Sequence, residues 1–344
     1  MDAAFTRDRA LGALAGVALG DAMGMPTQTL SRGHIAALYG RITDFRDAAE
    51  GNPVSRGLKA GTITDDTEQS LLLAQHLIDR RGDFDDHVWA RTLLDWESNT
   101  HARGVNDLLG PSTKRAVEAL QRGVLVSETG RLGTTNGAAM RIVPVGISVP
   151  PGPLSRLVDV VEATARLTHN TGVAIGSAAA VAAVVSAALD GADFEAAVPL
   201  ALAAAALGER RGTPGTALSI SDRIRAALDL AAGRDGASGA AEIAGRIGTS
   251  VAAVQSVPMA FAVLRLAKGD PWEAARISAE IGDDTDTIGA ISCGMAGACA
   301  GFARIPRDKW QVVATVNRLE LAPVIDGLLA LRVARAGALH KAAS

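Results

Sequence analysis

The sequence predicts an all-α fold, a single domain over residues 1–340 built from many short helices. Three observations carry this prediction. Apolar positions recur at helical spacing along almost the whole chain, while runs of β-branched or aromatic residues alternating with polar ones are scarce. The chain is 48% hydrophobic but only 3% aromatic, so alanine, leucine, valine and 37 glycines must fill the core. Small side chains of that kind suit helices packed close together. Finally, Pro- and Gly-rich breaks at Gly51-Asn52-Pro53, Pro150 to Pro153 and Arg210 to Pro214 separate helical stretches without a long linker.

In chain order, the spacing predicts helices over 6–24, 67–80, 86–98, 112–122, 155–166, 171–189, 194–207, 216–231, 240–246, 250–256, 258–267, 271–280, 288–302 and 322–336. The first carries Gly12, Gly16, Gly20 and Gly24, a bare stripe along one side. Each glycine weakens a helix by about 1 kcal/mol relative to alanine, so close approach to a neighbouring backbone is the expected compensation. Gly294, Gly297 and Gly301 suggest the same for a later core helix. The second helix has Thr64 or Asp65 as N-cap and Glu68 at capping-box spacing before Leu71-Leu72-Leu73. Residues 143–149 have strand-like composition but are broken by Pro144 and Gly146. The uncharged stretch 171–189 is long enough to raise the question of a bilayer span, yet its alanine and glycine content favours a buried helix. Pro258 and Pro271 each sit where a first helical position tolerates proline.

A formal charge of −3, from 34 basic and 37 acidic residues, gives no net attraction to a phosphate backbone, and no basic tract points to nucleic acid. Cys293 and Cys299 are the only cysteines, which excludes a disulfide scaffold and fits a reduced, cytoplasmic compartment. Leu11 to Gly20 resembles a short signal core only superficially, because balanced charges precede it and Asp21 follows at once. No GxGxxG or P-loop pattern is present, which disfavours nucleotide-binding folds that depend on one.

The chemistry lies in two acidic clusters far apart in the chain, Thr64-Asp65-Asp66-Thr67 and Asp283-Asp284-Thr285-Asp286-Thr287. Each runs directly into an apolar helical stretch. Adjacent carboxylates repel, and removing them from water costs free energy unless a cation neutralises them. Acids in a first turn also complement the helix dipole, but that accounts poorly for the same pattern occurring twice. Oxygen-only donor sets suit hard divalent ions such as Mg²⁺ or Mn²⁺. The expectation is an enzyme with a carboxylate-held metal centre.

Five segments resemble the ADP-ribosylglycohydrolase family in its own order: GALAGVALGDAMG (12–24), GTITDDTEQSLLLA (61–74), TTNGAAMRIVPVG (134–146), RLTHNTGVAIGSAAAVAA (166–183) and ISAEIGDDTDTIGAISCGMAGACAG (277–301). The resemblance implies a compact, orthogonal multi-helix domain holding two Mg²⁺ or Mn²⁺ ions. By position it implies Thr64, Asp65, Asp66, Asp284, Asp286 and Thr287 as ligands, with Asp283 outside the set because relatives often have glycine there. It implies Asp65 or Asp286 as base toward an attacking water. The substrate-binding residues it implies are Asp21, Gln28, Ser112, Thr113, Asn136, Gly137, Met140, Arg141 and His169. Structural alternatives stand beside several of these: a clasp for Arg141, a cap or packed residue for His169, a buried ion pair or cap for Asp21, and N-caps for Ser112 and Thr113.

The implied reaction is hydrolysis of an N-glycosidic bond to ribose, in an ADP-ribosyl or smaller ribosyl substrate, including ADP-ribose attached to a macromolecule. Relatives acting on ADP-ribosyl groups generally carry an acid near position 28. Gln28 can orient a water but cannot take its proton. A nucleoside N-ribohydrolase is therefore an alternative. A non-enzymatic ADP-ribose- or metal-binding module is another.

Overall fold

The computed structural model describes residues 2–102, 110–214 and 218–343, omitting side chains after 338. It is 71% helical, and no strand occurs among the described residues. The first half contains α1 (Ala3–Gly24), α2 (Arg32–Tyr39), α3 (Asp65–Asp79), α4 (Asp86–Ala102), α5 (Pro111–Gln121), α6 (Val126–Thr129), α7 (Gly137–Met140), α8 (Val143–Ser148) and α9 (Leu154–His169). The second contains α10 (Gly172–Leu189), α11 (Phe194–Gly208), α12 (Ile220–Ala231), α13 (Gly236–Ile247), α14 (Ala253–Leu266), α15 (Pro271–Ala279), α16 (Thr285–Ala300), α17 (Arg307–Asn317) and α18 (Ala322–Ala343). The first residues of the helix expected at 216 lie outside the described residues.

The centre of the molecule is the antiparallel pair α1 and α16. A methyl group added at Gly12, Gly16, Gly20 or Gly24 would collide with backbone atoms at Gly297, Cys293, Gly289 and Thr285–Asp286 respectively. The stripe thus serves close approach, as its spacing implies. On α16 the matching register is Gly289, Cys293 and Gly297. Gly294 instead faces the side chains of Val17 and Val143, and Gly301 has φ +86° and ends the helix. All 18 residues of α10 are buried. A helix apolar on every side needs protein on every side, and here it has it.

Four local expectations differ from the fold. Residues 143–148 are helical, with Pro144 in the first turn where its missing N–H costs nothing. Gly146 lets this helix press against Ala182 and Val185 of α10. Pro258 lies inside a continuous α14 rather than starting a helix. Its missing N–H would orphan the Val254 carbonyl, but Arg223 Nε donates to that oxygen at 2.8 Å. The capping box at the start of α3 does not form: Thr64 is the N-cap without a side-chain bond, and Glu68 accepts from Trp96 Nε1. The fourth difference is α2 and α17, whose short polar sequences carry too weak a periodicity to predict them. Ser31 Oγ, accepting from the His34 N–H at 3.3 Å, supplies the local start signal for α2.

Candidate active site

The C-terminal end of α1 meets the N-terminal ends of α3 and α16, which gathers Asp21, Asp65, Asp66, Asp284 and Asp286. Asp21 is fully buried and caps α3 from a different helix. Its carboxylate accepts from the Thr64 N–H at 2.9 and 3.0 Å, from Thr64 Oγ1 at 2.8 Å, and from the Thr67 N–H at 3.1 Å. An acid in trans therefore does the work of the absent capping box. Asp21 braces the cluster rather than facing solvent.

The two acidic clusters meet directly, since Thr287 Oγ1 donates to Asp66 Oδ2 at 3.3 Å. Thr64 Oγ1 is 3.4 Å from that same oxygen. The other oxygen, Asp66 Oδ1, is buried with no hydrogen-bond partner among the described residues. Asp284 is half-buried and accepts from Asn136 Nδ2, which also donates to Ser256 Oγ at 2.9 Å. Asp286 accepts from the Thr287 N–H at 2.9 Å. Asp283 has φ +58°, and its carboxylate accepts from the Thr249 hydroxyl at 2.8 Å.

Burial raises every carboxyl in this group. Asp21 and Asp284 are pushed up to about 6, in each case by desolvation that outweighs the hydrogen bonds they accept. Asp65, Asp66 and Asp286 are held well above the usual carboxylate range, by desolvation first and then by the charge of neighbouring carboxylates, Asp21 and Asp284 among them. Burial lowers Arg141 to about 10, and Asp65 opposes that shift. One guanidinium cannot neutralise five carboxylates, and an oxygen such as Asp66 Oδ1 is costly to bury unpaired. The donor chemistry fits hard cations. Among the described residues no group of three or more His, Cys, Asp or Glu side chains is arranged as a metal cage.

A cleft of about 190 Å³ opens onto the cluster. Asp65, Asp284, Asp286 and Thr287 form its acidic wall, while Gln28, Thr113, Asn136, Gly137 and Met140 are among the residues completing it. Gln28 is fixed by donating from Nε2 to Ser55 Oγ at 2.8 Å. Ser112, Arg141 and His169 do not line the cleft. Ser112 and Thr113 are not N-caps either, because Gly110 holds that position. Arg141 is buried and donates to Gln69 Oε1 at 3.0 Å and Thr168 Oγ1 at 2.6 Å, so it acts as a clasp rather than as an exposed anion partner. His169 is fully buried behind Gly137, where an added methyl group would strike the imidazole. Sequence reasoning assigned no role of their own to Gln69, Thr135 and Thr168, although all three stand in the segments that carry the family resemblance, and Gln69 lies one helical turn after Asp65.

An all-helical domain with an acidic cleft at the meeting of three helix ends defines the class. The profile of the ADP-ribosylglycohydrolase family matches residues 2–339. The chain belongs to the ADP-ribosylglycohydrolase family and is a hydrolase of that family. It is 34% identical to the uncharacterized protein YegU of Escherichia coli (strain K12), over 91% of this chain and 94% of that one. It is 35% identical to the ADP-ribosyl-[dinitrogen reductase] glycohydrolase of Rhodospirillum rubrum over 47% of this chain and 52% of that one. It is 26% identical to human ADP-ribosylhydrolase ARH3 over 90% of each chain. A solved structure described as an ADP-ribosylglycohydrolase-related protein complex superposes with a TM-score of 0.67 at 26% identity, covering 96% of this chain and 99% of that one.

Proposed function

We propose that this protein is a divalent-metal-dependent hydrolase of an N-glycosidic bond to ribose, acting on an ADP-ribosyl substrate. One observation carries the reading: two acidic clusters remote in sequence share a buried site whose Asp66 Oδ1 has no hydrogen-bond partner among the described residues. Thr64, Asp65, Asp66, Asp284, Asp286 and Thr287 would hold two Mg²⁺ or Mn²⁺ ions. Bound there, such ions supply charge neutralisation and Lewis-acid polarisation of oxygen.

The chain's own residues account for the rest. Asp65 and Asp286 are carboxylates on the cleft wall that can take the proton of an attacking water. The water oxygen bonds to the anomeric carbon, and the electron pair of the broken C–N bond leaves with nitrogen. Asn136 fixes the orientation of Asp284. Asp21 fixes the start of α3 and so the direction of Asp65 and Asp66. Gln28 supplies a hydrogen bond at the cleft wall but no base.

A nucleoside N-ribohydrolase remains the second reading, favoured by the absence of any aromatic ring among the described cleft residues to stack on adenine. Incubation with ADP-ribosyl-arginine, ADP-ribosyl-serine and a nucleoside panel, with Mg²⁺, Mn²⁺ or chelator, tests both readings. The expected outcome is metal-dependent release of ADP-ribose. Asp65→Ala and Asp286→Ala should each lower the rate by about 10²–10⁴-fold or more while the helical circular dichroism persists. Unchanged turnover in both variants would refute the assignment.

A further inference from the structure

Between α2 and α3, residues 40–64 form neither helix nor strand. Within them residues 48–58 make a compact loop, closed where the Ala48 N–H donates to the Leu58 carbonyl at 3.0 Å. From 46 to 60 the buried residues are Asn52 and Ser55, both polar. No apolar side chain of that stretch is buried, so hydrogen bonds rather than packing must hold it in place.

Asn52 makes most of those bonds. Its Oδ1 accepts from the Val54 N–H at 2.9 Å and the Ser55 N–H at 2.7 Å, which folds the tip of the loop back on itself. Its Nδ2 donates outward, to the carbonyls of Pro26 at 3.3 Å and Gln28 at 3.0 Å. The amide thus uses its acceptor and both of its donor hydrogens. Ser55 ties the loop to the same turn a second time, its Oγ accepting from Gln28 Nε2 at 2.8 Å. The turn is itself anchored to the start of the second acidic cluster. The Thr29 N–H donates to the Asp283 carbonyl at 2.6 Å, and the Asp283 N–H donates to the Leu30 carbonyl at 2.9 Å. Gln28 and Thr29 from the turn and Val54 from the loop all line the cleft, where they make an uncharged part of its lining. In the sequence Gly51-Asn52-Pro53 reads only as a break between helices, yet a buried side chain with every polar group matched is more than a break requires.

We infer that Asn52 is a positioning residue: by latching the 48–58 loop to the turn at 26–28, it holds Val54 and the Gln28 side chain as one preformed wall of the cleft. Substrate then meets a wall that is already ordered and does not supply that order on binding. The inference rests on the ribosyl-hydrolase reading above. The carboxylates that act on the substrate stand on α3 and α16, so loosening this wall should weaken binding and spare the chemical step.

Asn52→Asp is the narrowest test. It keeps the acceptor that Val54 and Ser55 use and removes the donors to Pro26 and Gln28. On ADP-ribosyl-arginine with Mg²⁺, KM should rise by about tenfold with kcat nearly unchanged, the order that one or two buried hydrogen bonds supply. A merely structural role acts otherwise, because a destabilised protein loses active molecules, which lowers apparent kcat and leaves KM alone. That pattern, or unchanged constants, overturns the inference. Ser55→Ala cuts the second tie by removing a single oxygen and should raise KM by about threefold. It decides the matter if circular dichroism shows Asn52→Asp to be unfolded, and an unchanged KM in it then overturns the inference. If the wild-type protein hydrolyses no ribosyl substrate, the hydrolase reading fails instead. Calorimetry with free ADP-ribose and Mg²⁺ then decides: binding weakened about threefold or more by whichever variant folds supports the role. Equal binding, or none by the wild type, removes it.

Discussion

Helices α1 and α16 meet in two different ways along one line of contact. From Gly12 to Gly20 they touch backbone to backbone, with no room for a single methyl group. One turn further on, where α1 ends and α16 begins, the contact becomes a nest of buried carboxylates. The apolar stretch is held by close packing and has no charge to titrate. The acidic stretch repels itself and is stable only in company with protons or cations. The difference teaches how the molecule divides labour: a seam without slack fixes the helices, and so holds in place side chains that would otherwise move apart.

The largest effect should come from breaking the seam. Gly20→Val pushes a branched side chain into the Gly289 and Ala290 backbone, and should cost at least about 3 kcal/mol in denaturant unfolding. Wild-type stability in that variant would mean the helices are not in contact.

The acidic end should respond to pH and metal, where the seam does not. For Asp21 and Asp284, raised to about 6, the folded state binds protons more tightly than the unfolded chain. Their contribution is therefore fully present below about pH 4 and is lost as pH rises through about 6. In chelator the carboxylate contribution thus falls toward neutral pH, and Mg²⁺ should raise Tm little at pH 5 and most at pH 8. His169, shifted the other way, affects both curves alike and drops out of that difference. A Tm gain from Mg²⁺ that is equal at pH 5 and pH 8 would contradict the picture of buried, self-repelling acids.

Smaller effects sharpen the contrast. Arg223→Met should cost about 1–3 kcal/mol by leaving the Val254 carbonyl beneath Pro258 unpaired, measurable by chemical denaturation. Gly245→Ala in α13 is the control for the seam, since its added methyl group meets open space. It should stabilise the protein by about 0.5–1 kcal/mol, the opposite sign to any seam glycine.

Much of this was legible in the sequence because the decisive signals are local. A four-residue glycine period marks a contact face, and paired carboxylates ahead of an apolar helix mark a site. What lay hidden depends on partners remote in the chain. The capping box predicted at Glu68 loses to Asp21, a residue on another helix. Pro258 looked like a helix start because the arginine that satisfies Val254 comes from α12. For Arg141 and His169 the sequence left a binding role and a structural one open; both lie buried and outside the cleft lining. Their burial follows from Gln69 and Thr168, whose roles only the packing reveals.

The central claim is that the two acidic clusters jointly take up divalent cations. The most direct test is titration of Mg²⁺ and Mn²⁺ into chelator-treated protein by calorimetry, comparing the wild type with Asp66→Asn. Saturable uptake of two ions by the wild type, lost or reduced in a variant that keeps its helical signal, is the predicted result. No uptake by the wild type, or identical uptake by both proteins, would contradict it.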